Sequence, residues 1–158
     1  YNAGGRAQMK MKNISFQGCL YKLQLTASDI AYGPCPAPDE EVEQRLTITR
    51  NGMVWFSRWA FGCGIKPSLI CRERFRIDSD AVATLFGQVE AFFSGSLNMV
   101  LVVDTDVWNL ELTNTDRAVY HYYGSVCRSL VPELDMISDQ LRLLVGRSGL
   151  IAFNGRPE

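Results

Sequence analysis

The chain has 158 residues, 47% of them hydrophobic and 21% charged, with a formal net charge of −1. A chain of that length accommodates one domain that buries about 68–70% of its unfolded surface without staples. The near-neutral charge excludes a polyanion binder working by bulk electrostatics, and the longest apolar run, MVLVV at 99–103, is far shorter than the ~18 residues of a membrane span.

The first eight residues, YNAGGRAQ, read as a vector-derived scar or a frayed leader, with the natural start at Met9 or Met11 and one α+β domain over 9–158. Nothing near the start has the apolar core of a secretory signal, so the expected compartment is the cytoplasm. GCLYKLQLT (18–26) alternates as a strand, with Leu23 and Leu25 on one side. SDIAYG (28–33) reads as a short partner strand, and GPCPAPDEE (33–41), with prolines at 34, 36 and 38, as a loop.

EQRLTITRNGMVWFSRW places two strand-like runs around Asn51-Gly52. A two-residue type I′ turn is the expectation for that dipeptide. In that register Arg50 faces Met53, Thr49 faces Val54, Ile48 faces Trp55 and Thr47 faces Phe56. One side of the hairpin then carries Leu46, Ile48, Met53 and Trp55, and the other carries Thr47, Thr49, Val54 and Phe56. Trp55 and Phe56 point to opposite sides, so both cannot belong to one stacking platform. FGCGIKPSLI continues as a glycine-containing loop, and CRERFRI as a strand with Arg72, Arg74 and Arg76 on one face.

DSDAVATLFGQVEAFFSG (78–95) is an amphipathic helix, capped by Asp78 or Ser79 and stopped at Gly95. Its apolar stripe is Val82, Leu85, Phe86, Val89 and Phe93. NMVLVVDTD reads as a strand. VWNLELTNTDRAVYHYYG (107–124) is a second hairpin with a type I turn and a bulge, where Arg117 takes a position usually held by glycine. Its register sets Tyr120 and Tyr122 on the face of Trp108 and puts His121 opposite Glu111. VPELDMISDQLRLLVG (131–146) is a second helix with Leu134, Ile137, Leu141 and Leu144 as its stripe, and LIAFNG (150–155) a last strand. The sum is α+β: a mainly antiparallel sheet built from two aromatic-rich hairpins, with two amphipathic helices on one face.

Five cysteines (Cys19, Cys35, Cys63, Cys71, Cys127) occur at irregular spacing without a C-x-x-C pair. Small buried thiols in a reducing cytoplasm account for them better than zinc held by three of them with His121. A Cys63–Cys71 bridge is left open. His121, the single histidine, is better explained as a cross-strand partner of Glu111 than as a catalytic base, since no G-x-S-x-G is present. No phosphate loop occurs, and no cofactor is expected.

FSGSLNMVLVVDTDVW resembles the nucleotidyltransferase signature, a Gly-Ser followed by strand-borne carboxylates that hold Mg²⁺. Asp104 and Asp106 would be the metal ligands, with Glu111 or Asp116 as a third. Thr105 between the aspartates departs from the pattern, and residues 77–116 carry no lysine or arginine to contact phosphate.

Charge is segregated along the chain. Residues 45–76 hold seven basic side chains and one acid, whereas 77–116 hold seven acids. Such a chain either pairs its halves across the fold or displays two opposite faces. The basic segment supplies the candidate partner-binding residues: Arg58, Trp59, Phe61, Lys66, Arg72, Arg74 and Arg76.

RLTITRNGMVWFSRWAFG, FRIDSDAVATLFGQVEAFFSG and WNLELTNTDRAVYHYYGSVC together resemble small uncharacterised α+β proteins of Gram-positive gut bacteria, their phages and mobile elements, over about residues 44–155. The resemblance implies a cytoplasmic bacterial or phage protein and transfers no catalytic residue. The reading that follows is a non-catalytic protein-interaction module, of the kind that mobile elements encode to inhibit a host defence nuclease. Its partner is another protein, with a homodimer as a further arrangement and no membrane involved. Either the basic face or an acidic edge at Asp104, Asp106 and Asp116 would serve as the surface. The alternatives are a nucleic-acid-binding domain using 45–76 and the metal-dependent nucleotidyltransferase.

Overall fold

The computed structural model describes residues 8–12, 14–30, 35–63, 66–95, 98–102 and 105–157. Eight strands and two helices follow in the order β1 (Gln8–Lys12), β2 (Leu20–Ser28), β3 (Glu41–Thr49), β4 (Met53–Ala60), β5 (Ser68–Arg76), α1 (Ser79–Phe93), β6 (Asn98–Val102), β7 (Val107–Asn114), β8 (Val119–Ser125) and α2 (Pro132–Val145). Six strands form an antiparallel sheet in the order β5-β4-β3-β2-β7-β8, and β1 pairs with β6 in a separate ribbon. The α+β class, the two hairpins and the two helices are as the sequence predicts. The β1 strand was not expected, and it gives the MVLVV segment a partner outside the main sheet.

Both helices cover the same face of the sheet, and their apolar stripes explain why. Val82, Leu85, Phe86, Val89 and Phe93 of α1 are all buried. In α2 the buried apolar positions are Leu134, Ile137, Leu141 and Val145, with Ser138 and Arg142 buried beside them, so the stripe turns slightly and Leu144 is only partly buried. Beneath them lie Leu23, Leu25, Leu46, Ile48, Val54, Phe56, Trp108 and Leu110 from the sheet. Trp108 sits edge-on to Phe93 (6.5 Å between ring centres) and Phe153 (4.8 Å). Gly124 backs it across the strand pair, where a Cβ would come within 2.6 Å of the indole. Tyr122 closes the same layer and donates its hydroxyl to Ile14 O at 2.7 Å. Burial pushes its pKa up to about 12.

Three expectations are corrected. The first hairpin is shifted by one residue: Ile48 pairs with Val54, Thr47 with Trp55 and Leu46 with Phe56. Only Gly52 (φ 95°) has a positive φ in that turn, and its N–H bonds to Thr49 O at 2.9 Å. The turn is therefore a three-residue loop, a type I turn closed by a glycine bulge, and not type I′. A one-residue shift exchanges the faces. Val54 and Phe56 join Leu46 and Ile48 in the core, and Trp55 moves outside.

LIAFNG is a turn rather than a strand, with Ala152 at φ 52°. Leu150, Ile151, Ala152 and Phe153 are buried, and side chains supply the hydrogen bonds that a neighbouring strand would have given. Gln44 Oε1 accepts from Ile151 N (2.7 Å), and Ser138 Oγ accepts from Phe153 N (3.2 Å). Arg142 donates to Leu150 O, Ile151 O, Asn154 Oδ1 and Gly155 O.

Asp29 and Ile30 are outside any strand, so the partner strand over 28–33 does not form there, and its residues 31–33 lie outside the described residues. The second hairpin matches its predicted register, with Glu111 opposite His121 and Leu110 opposite Tyr122, and Arg117 holds the left-handed position at φ 68°.

Candidate functional site

The helices cover one face of the sheet. On the opposite face the strand period of two brings together residues that are distant in sequence. Arg72 lies beside Ser57, Arg74 beside Trp55, and Arg76 beside Met53. The rows continue from Ser57 to Arg45 and from Trp55 to Thr47. Further across, the face changes character: Gln24 neighbours Glu111, and Glu111 neighbours His121.

The β3–β5 part of this face is cationic and aromatic. Trp55 remains 38% exposed, and the guanidinium of Arg74 lies 6.0 Å from its ring centre. Arg45 stacks over Trp59 at 4.0 Å, inside the range of a cation–π contact. Trp59 Nε1 donates to Ser57 Oγ at 2.9 Å, which holds the indole flat along its own strand. Arg45 also pairs with Glu43 at 2.5 Å. Among the described residues no carboxylate forms an ion pair with Arg72, Arg74 or Arg76, and Arg76 donates from Nη1 to Asn51 O at 3.2 Å.

Of the predicted partner-binding residues, Trp59, Arg72, Arg74 and Arg76 share this face. Arg58 does not. It follows Val54 and Phe56 onto the helix side and donates to Glu41 Oε1 from both Nε (3.0 Å) and Nη2 (2.8 Å). Phe61 and Lys66 lie in the loop between β4 and β5, Phe61 bound through its N–H to Glu40 O at 2.9 Å. Trp55 and Arg45 were missed. The hairpin shift hid Trp55, and the alternation of Leu46 and Ile48 against Val54 and Phe56 is the signal that recovers it.

Behind Arg58 is a cavity of about 540 Å³, lined by Glu41, Gln44, Arg58, Cys71, Glu73 and Arg147 among others. Its charges are matched. Glu41 receives Arg58 and lies 3.6 Å from Arg156, and Glu73 receives Arg147 at 2.8 Å. Burial acts to raise the Glu41 pKa, but the bonds from Arg58 and Gln44 and the charges of Arg58 and Arg156 outweigh it, leaving it lowered. The hydrogen bond to Glu41 raises Arg58. These pairs anchor the C-terminal segment to the back of the sheet. The segregated charge is therefore divided: Arg45, Arg50 and Arg58 are paired with acids, whereas the β5 row is displayed.

His121 Nδ1 is 3.7 Å from Glu111 Oε2 on the exposed side of the sheet, the cross-strand pair expected. All five cysteines are unbridged, including Cys63 and Cys71, and the expectation of buried thiols is corrected: Cys19, Cys35 and Cys63 are exposed and Cys71 and Cys127 are half-buried. Among the described residues no cluster of three or more His, Cys, Asp or Glu side chains converges. Asp104 lies outside the described residues. Asp106 accepts from Ser28 Oγ at 3.4 Å, and Asp116 is exposed in the β7–β8 turn. Among the described residues no helix is long and apolar enough to cross a membrane. Comparison with family models, with curated proteins and with solved structures finds no match to this chain.

Proposed function

We propose that the protein is a non-catalytic interaction module that docks an acidic surface of another protein on the β3–β5 face. The observation that carries this reading is the row Arg72, Arg74 and Arg76, displayed without carboxylate partners among the described residues and flanked by the exposed Trp55. Tryptophan and arginine are the side chains that most often dominate protein interfaces, because both combine large contact area with a directional polar group. A flat face with such a patch recognises a complementary anionic surface.

Two features favour a protein over a nucleic acid. In the row that leads from Arg74 through Trp55, Thr47 and Gln24, the next positions are Glu111 and His121, so an acid interrupts the cationic surface there, with Lys22 the basic residue of β2 on the same face. Arg45 already occupies a face of Trp59, which removes one stacking surface that a base would need. The unbridged cysteines fit a reducing compartment.

The test uses poly-L-glutamate and single-stranded oligo-dT as probes at physiological ionic strength, read by tryptophan fluorescence. Poly-glutamate should quench the emission, and the variant with Arg72→Gln, Arg74→Gln and Arg76→Gln should lose the response. Tighter binding of oligo-dT, lost in the same variant, would assign the face to nucleic acid. A response unchanged by the three substitutions would remove the face from consideration.

A further inference from the structure

We propose that the partner presents an extended acidic segment, which adds to β5 as a seventh strand with carboxylates at alternate positions facing Arg72, Arg74 and Arg76. This inference rests on the interaction-module reading and specifies its geometry. The sheet ends at β5, a nine-residue strand whose ladder to β4 runs without a register shift from Met53–Arg76 to Arg58–Cys71. Among the described residues no hydrogen bond reaches the backbone of Ser68–Arg76 from outside the sheet. The other border is not equivalent. There β6 lies against β8, with Val102 N donating to Ser125 Oγ at 2.7 Å. An open edge of this length is a template for strand addition.

The arginine row selects the occupant. A second copy of β5 would set arginines against one another across the new ladder, and like charges directly opposite are destabilising. Alternating carboxylates on an incoming strand would instead stand about 4.5–5.5 Å from the arginine positions, a favourable cross-strand pairing. Leu69 and Ile70, 43% and 44% exposed at the start of the same strand, extend the edge with apolar contact.

The probe is the peptide Glu-Val-Glu-Val-Glu-Val-Glu, compared with the same peptide N-methylated at alternate residues, which keeps the charge and removes one hydrogen-bonding edge. Binding is followed by tryptophan fluorescence, and amide exchange across 68–76 by mass spectrometry. The unmodified peptide should bind about tenfold more tightly or better and slow exchange in 68–76. Equal binding of both peptides with unchanged exchange would overturn strand addition while leaving face docking intact. Failure of both peptides and of poly-glutamate would remove the acidic-partner reading itself, and the arginines would then be a guard against self-association. Concentration-dependent dimerisation that protects 68–76 without peptide would assign the edge to a second copy. Arg74→Gln alone, at an exposed position, serves where the triple substitution fails to fold.

Discussion

The guanidinium of Arg147 grips the carboxylate of Glu73 twice, from Nη2 to Oε1 at 2.8 Å and from Nε to Oε2 at 3.2 Å. Arg147 follows α2 and Glu73 is on the back of β5, so the pair ties the helix layer to the strand whose front carries the arginine row. The same guanidinium lies 4.8 Å from the Phe75 ring. Because both side chains are about one-third exposed, Arg147→Ala should cost no more than about 1 kcal/mol of global stability. Locally it should speed amide exchange in 68–76, and unchanged exchange there would show that β5 is held by the sheet alone.

Glu41 should give the protein an acid-sensitive joint. Its net pKa is lowered from 4.5, so its contribution is complete above that value and is lost as pH falls through the depressed pKa. Glu73, lowered by the hydrogen bond from Arg147, acts in the same direction. Glu41→Gln should lower stability at neutral pH by about 1–3 kcal/mol, since it leaves Arg58 and Arg156 short of a carboxylate. Below pH 4.5 the difference from the parent should shrink, as denaturant melts across the acid range would read. A constant difference would place the effect elsewhere.

Arg142 is the second joint. It is 7% exposed, burial lowers its pKa, and it donates to three backbone carbonyls and to Asn154 Oδ1. Arg142→Met keeps much of the volume and removes every donor. It should destabilise by about 3–5 kcal/mol, the range for leaving several buried acceptors unmatched. Proteolysis should then attack the chain near 150–155 first, and intact resistance there would refute the role.

The two hairpin turns make a paired prediction. Both are three-residue loops whose last residue is left-handed, Gly52 in the first and Arg117 in the second. Gly52→Ala should cost about 2 kcal/mol or more, because φ is 95° and the new Cβ would lie 2.4 Å from Ile77 O. Arg117→Gly should be neutral to stabilising by about 1 kcal/mol, since glycine removes the left-handed penalty. A loss at Arg117→Gly would mean that its side chain contributes more than its backbone costs.

Elements whose signal is local were legible from residue order. The α1 stripe from Val82 to Phe93, the Asp78 cap and the second hairpin with Glu111 opposite His121 follow from helical and strand periods over short spans. The first hairpin shows the limit. Asn51-Gly52 serves either a two- or a three-residue loop, and the two differ by one residue of register, which reverses every side chain. Only burial against α1 and α2 chose between them, putting Val54 and Phe56 inside and Trp55 outside.

Residue order by itself determined an α+β chain with a segregated basic segment and alternating arginines at 72, 74 and 76. The tertiary structure decided which of those charges are displayed. Arg58, one face away, meets Glu41 and becomes an anchor, whereas the β5 arginines find no carboxylate among the described residues. Pairing across the fold depends on which strands become neighbours and which face the helices cover. Those long-range choices come from burying the whole core at once, and no short stretch of the chain encodes them.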